Sequence, residues 1–148
     1  MGTVLIVYHS LSGNTQAAAE AVAEGVRSVA GAEANLKEAL HAGPADLLGC
    51  DTLAVGTPDF FSYMAGGLKD FFDRAFYPTQ GQVTDKPVGI FVTHGGGGKA
   101  VDSVRSLCKS FKFRLACEPT LITNRPDEAA VKRLKDMGVL LAKLAGEA

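Results

Sequence analysis

The stretch TVLIVYHSLSGNTQAAAE, residues 3–20, changes its period partway along, and that change decides the fold. Thr3–His9 is short, apolar and β-branched, the pattern of a strand covered on both faces. From Asn14 to Ala30 the period becomes helical. Ala18, Val22, Val26 and Val29 share one face, with Glu20, Glu24 and Arg27 elsewhere on the wheel, and Gly31 ends the helix. The alternation then continues. Glu33–Lys37 reads as a weak second strand near an edge, and His41–Cys50, with Gly43-Pro44, as about one helical turn. Thr52–Thr57 is a buried-type strand, and Gly67–Arg74 a short helix with Leu68, Phe71 and Phe72 inward. Pro87–Thr93 is a fourth strand, and Val101, Val104, Leu107, Cys108 and Phe111 mark the next helix. Cys117–Thr123 is a fifth strand in which Pro119 implies a bulge or an edge. Asp127–Leu144 is the last helix, started by Pro126. Strands alternating with helices in this way imply an α/β fold with parallel pairing, right-handed crossovers and helices on both faces.

Composition narrows the function. The chain has 148 residues, one domain's worth, and a net charge of −1. A dedicated nucleic-acid binder needs a surplus of Lys and Arg, so none is expected. No apolar run nears the roughly 18 residues of a membrane span, and no basic stretch precedes an apolar one as in a leader. Cys50, Cys108 and Cys117 form no CxxC pair. That excludes a thiolate metal cluster and a disulfide framework, and fits a cytoplasmic setting.

In a doubly wound sheet, ligands bind beyond the carboxyl ends of the strands. Three loops there are unusual. Ser10-Leu11-Ser12-Gly13-Asn14-Thr15 offers hydroxyls, a carboxamide and the open N–H groups of a helix start, which suit a phosphate. No Lys or Arg occurs before Arg27, and neither GxxxxGK[ST] nor GxGxxG is present, so one terminal phosphate fits better than a triphosphate. In the second loop Phe60, Phe61 and Tyr63 would expose much apolar surface unless they covered something flat. In the third, four consecutive glycines, Gly95 to Gly98, follow Thr93 and His94 and allow a planar ligand to approach the backbone.

Ser10-x-Ser12-Gly13-Asn14-Thr15 resembles the [ST]-x-[ST]-G-x-T loop of flavodoxins and flavodoxin-like oxidoreductases, where it holds the 5′-phosphate of FMN. Gly56-Thr57-Pro58 through Met64-Ala65-Gly66-Gly67-Leu68-Lys69 is similar to a segment of the tryptophan-repressor-binding-protein type NAD(P)H:quinone oxidoreductases that lines the isoalloxazine ring. The resemblance implies a three-layer, flavodoxin-like doubly wound sheet of five parallel strands in the order 2-1-3-4-5, over residues 1–148. It implies FMN as cofactor, with Ser10 to Thr15, Thr57, Pro58, Asp59, Phe60, Phe61, Ser62, Tyr63, Met64, Thr93, His94 and Gly95 to Gly98 around it. His94 is the candidate catalytic residue, as a donor to the flavin or a proton carrier to a quinone.

Three functions follow from the resemblance. The chain is an electron-transferring FMN protein, a two-electron NAD(P)H:quinone oxidoreductase, or a flavin-binding regulatory module without turnover. Partners are a redox protein, or NAD(P)H with a quinone-type acceptor. The family contains monomers and homo-oligomers. Flavodoxins proper are strongly acidic, and many carry a glycine in the second loop whose peptide turns over beside the flavin. Here the charge is −1 and Pro58–Ala65 holds no glycine, which implies a bias towards two-electron chemistry.

Overall fold

The computed structural model describes residues 2–148. The chain runs β1 (Gly2–Tyr8), α1 (Asn14–Arg27), β2 (Ala32–Glu38), a 3₁₀ turn (Ala39–His41), α2 (Pro44–Gly49), β3 (Thr52–Phe60) and β4 (Tyr63–Met64). It continues through α3 (Gly66–Thr79), β5 (Pro87–His94), α4 (Ala100–Phe111), β6 (Arg114–Leu115), β7 (Thr120–Thr123) and α5 (Glu128–Gly146). Strands pair in the order β2-β1-β3-β5-β6, and β7 also pairs with β5. All these pairs are parallel. Setting aside the antiparallel two-residue β4, this is the expected order, with the fifth place shared by β6 and β7.

Strand alternation sends side chains to two separate cores. Leu5, Val7, Leu53, Val55, Val88, Ile90 and Val92 meet Leu68, Phe71, Phe72, Val104 and Phe111 on the face covered by α2, α3 and α4. Val4, Ile6, Tyr8, Ala54 and Phe91 meet Val22, Val26, Leu134, Met137 and Leu141 under α1 and α5. With both faces dry, the central strands are apolar throughout, as their sequence announced.

Helix α1 stops at Arg27, short of the expected Ala30, with the Ser28 hydroxyl donating to the Gly25 carbonyl at 2.7 Å. Three other boundaries differ from expectation, each for a local reason. The fifth strand starts earlier, at Arg114, leaves the ladder after Leu115 and rejoins at Thr120. Pro119, which has no N–H to give a ladder, lies in the break. Helix α3 runs on to Thr79 with Pro78 in its last turn; the ring removes one i→i−4 bond there, and the helix ends one residue later. Strand β3 continues past Thr57 to Phe60 because β4 folds back on it, pairing Asp59 with Met64 and Phe60 with Tyr63.

Helices α1 and α5 cross at two glycines. A Cβ at Gly25 would stand 2.1 Å from the Lys135 carbonyl oxygen, and one at Gly138 would stand 2.1 Å from that of Val22. Backbone cannot yield as a side-chain tip can. Gly138→Ala is therefore expected to destabilise the fold by about 2 kcal/mol or more, through forced separation of the helices. Thermal melting would check this, and an unchanged melting temperature would refute the close crossing.

Candidate functional site

β1, β3 and β5 end side by side, so the loops that leave them converge on one edge of the sheet. The first loop, residues 9–13, leads into α1. Gly13, at φ +99°, is the N-cap, and no side chain caps the helix. The N–H groups of Asn14, Thr15 and Gln16 have no acceptor among the described residues. The Gly13 N–H donates to Ser10 Oγ at 3.1 Å, which sets the hydroxyl at the loop's entrance. Leu11 and Ser12 are exposed, while Gly13 and Asn14 are half-buried. The helix start thus presents open donors and partial positive charge with no cation in the loop.

The second loop is a tight hairpin. Phe61 and Ser62 form its tip with φ of 59° and 63°, the left-handed pair of a type I′ turn. Such turns normally use Asn or Gly, and a Phe there is under strain of about 1 kcal/mol. Phe61 is fully exposed, and Tyr63 is exposed beside it. The conformation that the sequence reading reserved for glycine is therefore occupied by bulky and hydroxylated residues. Asp59 makes that possible. Its Oδ1 accepts from Ser62 N–H at 2.8 Å and its Oδ2 from Ala100 N–H, at the start of α4, at 3.3 Å. One carboxylate holds the turn and ties the hairpin to the third loop.

Not every residue expected at the site turns its side chain towards it. Thr57 is fully buried, donating to the Pro58 carbonyl at 2.7 Å and accepting from Ala65 N–H at 2.9 Å. Met64 is a core residue whose N–H donates to Ser103 Oγ at 3.0 Å. Thr93 is 3% exposed, and its hydroxyl lies 2.7 Å from that of Thr15, which is 1% exposed. Pro58, Asp59 and Phe60 are half-buried along the end of β3.

The third loop keeps its glycines for two different reasons. A Cβ at Gly96 would meet nothing within 4 Å, and at Gly95 and Gly97 only side-chain oxygens at 4.0 and 3.6 Å. The chain's own packing does not need glycine at these exposed positions, whereas close approach by a flat ligand would. Gly98 is buried, has φ +78°, and a Cβ there would stand 3.2 Å from the His94 ring. It is required by the fold. His94 Nδ1 is buried without a hydrogen-bond partner, a condition it shares with His9 Nδ1.

Three site residues escaped the sequence reading. Ser103 looks like an ordinary helix serine, and only the pairing of β4 over α4 brings it to Met64. Asn124, at φ 57°, donates its N–H to the His94 carbonyl at 2.8 Å. An asparagine two residues before Pro126 is a turn signal that could have revealed it. His9 lacks a partner in sequence. In space its Nδ1 lies 3.5 Å from the Glu38 carboxylate, and its ring meets Phe60 edge-on with centroids 6.3 Å apart. Gly67 makes room for that ring, since a Cβ there would stand 2.4 Å from Nδ1.

The cysteines take no part in the site. Burial pushes the Cys108 thiol up to about 12 and the Cys50 thiol up to about 11, the latter despite nearby Lys86. Cys117 is only half-buried, and burial and Glu118 raise its thiol too. Alkylation of the native protein near neutral pH is expected at Cys117 first, with Cys50 and Cys108 protected until unfolding, as mass spectrometry would show. Asp59→Ala is expected to cost about 1–2 kcal/mol of stability and to speed amide exchange at Ser62 and Ala100. Asp59→Asn, which keeps an acceptor for Ser62, should lose less, and equal losses for the two would contradict the bridging role.

Comparison with known proteins bears on this arrangement. A family model described as NADPH-dependent FMN reductase matches residues 3–120. A flavodoxin of Aquifex aeolicus is 40% identical over 117 residues, covering 76% of this chain and 63% of its own length. An NAD(P)H dehydrogenase (quinone) of Acidithiobacillus ferrooxidans is 34% identical over 121 residues, covering 65% and 60%. The chain thus spans less than two thirds of the length of either relative. Among solved structures, a flavodoxin from the domain Archaea superposes with TM-score 0.89 at 22% identity, covering 97% of this chain and 99% of that one. Two-electron reduced Megasphaera elsdenii flavodoxin does so with TM-score 0.81 at 26% identity, covering 95% and 98%. Matched across most of its length and folded in the flavodoxin manner, the chain belongs to the NADPH-dependent FMN reductase family.

Proposed function

We propose that this chain binds FMN at the converging ends of β1, β3 and β5 and acts as a redox protein, transferring electrons through the bound flavin. The observation that carries this reading is the open start of α1. Uncapped N–H groups and hydroxyls are gathered there with no Lys or Arg, and beside them stand a hairpin wall and a glycine wall. Ser10, Ser12, Asn14 and Thr15, with the open backbone N–H groups at the start of α1, would hold the phosphate within the Leu11–Gly13 turn. Residues 58–63 and 94–98 would form the two walls for the isoalloxazine ring. When bound, FMN supplies a centre that takes up electrons singly or as hydride.

The chain's own groups then have separable tasks. The donors of the first loop bind and orient the phosphate end. Asp59 fixes the distance between the two walls by binding both. His94, half-buried at the end of β5 beside the exposed glycines, is the candidate hydrogen-bonding group to the polar edge of the ring. Phe61, Tyr63 and Leu11 form an apolar rim that excludes water around an incoming acceptor.

A second reading, an NAD(P)H:quinone oxidoreductase, is favoured by that same rim. A net charge of −1 and exposed apolar side chains suit a neutral planar acceptor better than a strongly charged protein partner. Among the described residues no helix is long and apolar enough to cross a membrane. With three free thiols, a cytoplasmic location fits.

The purified protein is expected to be yellow, or its apo form to quench FMN fluorescence on titration, with riboflavin bound about tenfold or more weakly for lack of the phosphate. A colourless protein indifferent to excess FMN would end the proposal. NADPH consumption dependent on benzoquinone would select the oxidoreductase. Reduction only through a partner reductase would select the carrier.

A further inference from the structure

The Thr15–Thr93 contact joins the first turn of α1 to the end of β5 across 78 residues of chain, with the two Oγ1 atoms 2.7 Å apart. Both residues are nearly inaccessible, at 1% and 3%. Among the described residues neither hydroxyl has another hydrogen-bond partner. Two hydroxyls carry two hydrogens, and their mutual bond uses one. The second hydrogen is left in a dry place with no acceptor from the fold, which folded chains avoid.

The pair has two possible orders. If Thr15 donates, the surplus hydrogen is on Thr93, beneath the loop. If Thr93 donates, the surplus hydrogen is on Thr15, within the turn where the uncapped N–H groups of Asn14, Thr15 and Gln16 collect. Only in the second order can an anion at the helix start accept it. We propose that Thr93 is a positioning residue for the phosphate, acting through Thr15. By donating to Thr15 it commits that hydroxyl to the anion and strengthens it as a donor. The inference rests on the phosphate-loop reading given under the proposed function. It adds a contribution from β5 to a cradle that otherwise comes from one loop. The absence of a cation from that loop gives each hydroxyl more weight.

The test compares FMN and riboflavin binding by apo protein carrying Thr93→Val, Thr93→Ser or no substitution, by fluorescence titration. Thr93→Val keeps the shape and removes the donor. It is expected to weaken FMN about five- to tenfold while leaving riboflavin within about twofold, and Thr93→Ser should restore FMN binding. Equal weakening of both flavins would mean that Thr93 only shapes the pocket, and unchanged FMN binding would mean that it contributes nothing. Either result overturns the inference. Should Thr93→Val fail to fold by circular dichroism, Thr93→Ala removes the same donor without the second methyl and is judged by the same outcomes. If the unsubstituted protein bound riboflavin as tightly as FMN, the phosphate-loop reading itself would fall, and this inference with it. That outcome is separate, because it needs no variant.

Discussion

Covering a parallel sheet on both faces forces every connection to cross a face as a helix, so all strands point one way and their carboxyl ends collect at one edge. The rest of the molecule depends on that constraint. It brings residues 9–15, 57–64 and 93–98, far apart in sequence, to the same edge of the sheet. It also determines which residues can serve there. Strand alternation sends Val7, Val55 and Val92 into one core and Phe91 into the other. Side chains near the strand ends, such as His9, Phe60 and His94, are left at the rim.

Convergence alone would leave three loose loops. Side chains tie them into one body: Thr15 to Thr93, Asp59 to Ser62 and Ala100, Thr57 to Ala65, and Ser103 to Met64. Most of these bonds run from a short polar side chain to a backbone N–H. That geometry fixes loops without long flexible side chains and their entropy cost. The strained tip at Phe61 and Ser62 persists because Asp59 and the pairing with β4 over-determine it.

The layers of the fold were legible because apolar periods of about two and 3.6 residues alternate without interruption from Thr3 onwards. The candidate phosphate loop was legible for a related reason: it lies between two such segments and contains residues that neither pattern wants. What stayed hidden depends on contacts between segments. Nothing local says that Phe60 and Tyr63 pair, since the two-residue turn between them lacks the usual Asn-Gly. Ser103 and His9 acquire partners only through the tertiary arrangement. Thr57 and Thr93 are expected around the cofactor, and the fold turns their side chains inward. Pro119 was informative: its strand is at the edge of the sheet, and the proline lies in the gap between that strand's two pieces.

That gap has a consequence for how such chains diverge. Ala116 still donates to the Val88 carbonyl and packs with Cys117 against the core, but Glu118 and Pro119 do neither, so material spliced in between them would cost neither a ladder bond nor a core side chain. The break also lies clear of the cleft-forming loops. It is a natural seam, where a longer chain could acquire a new surface without disturbing the old one.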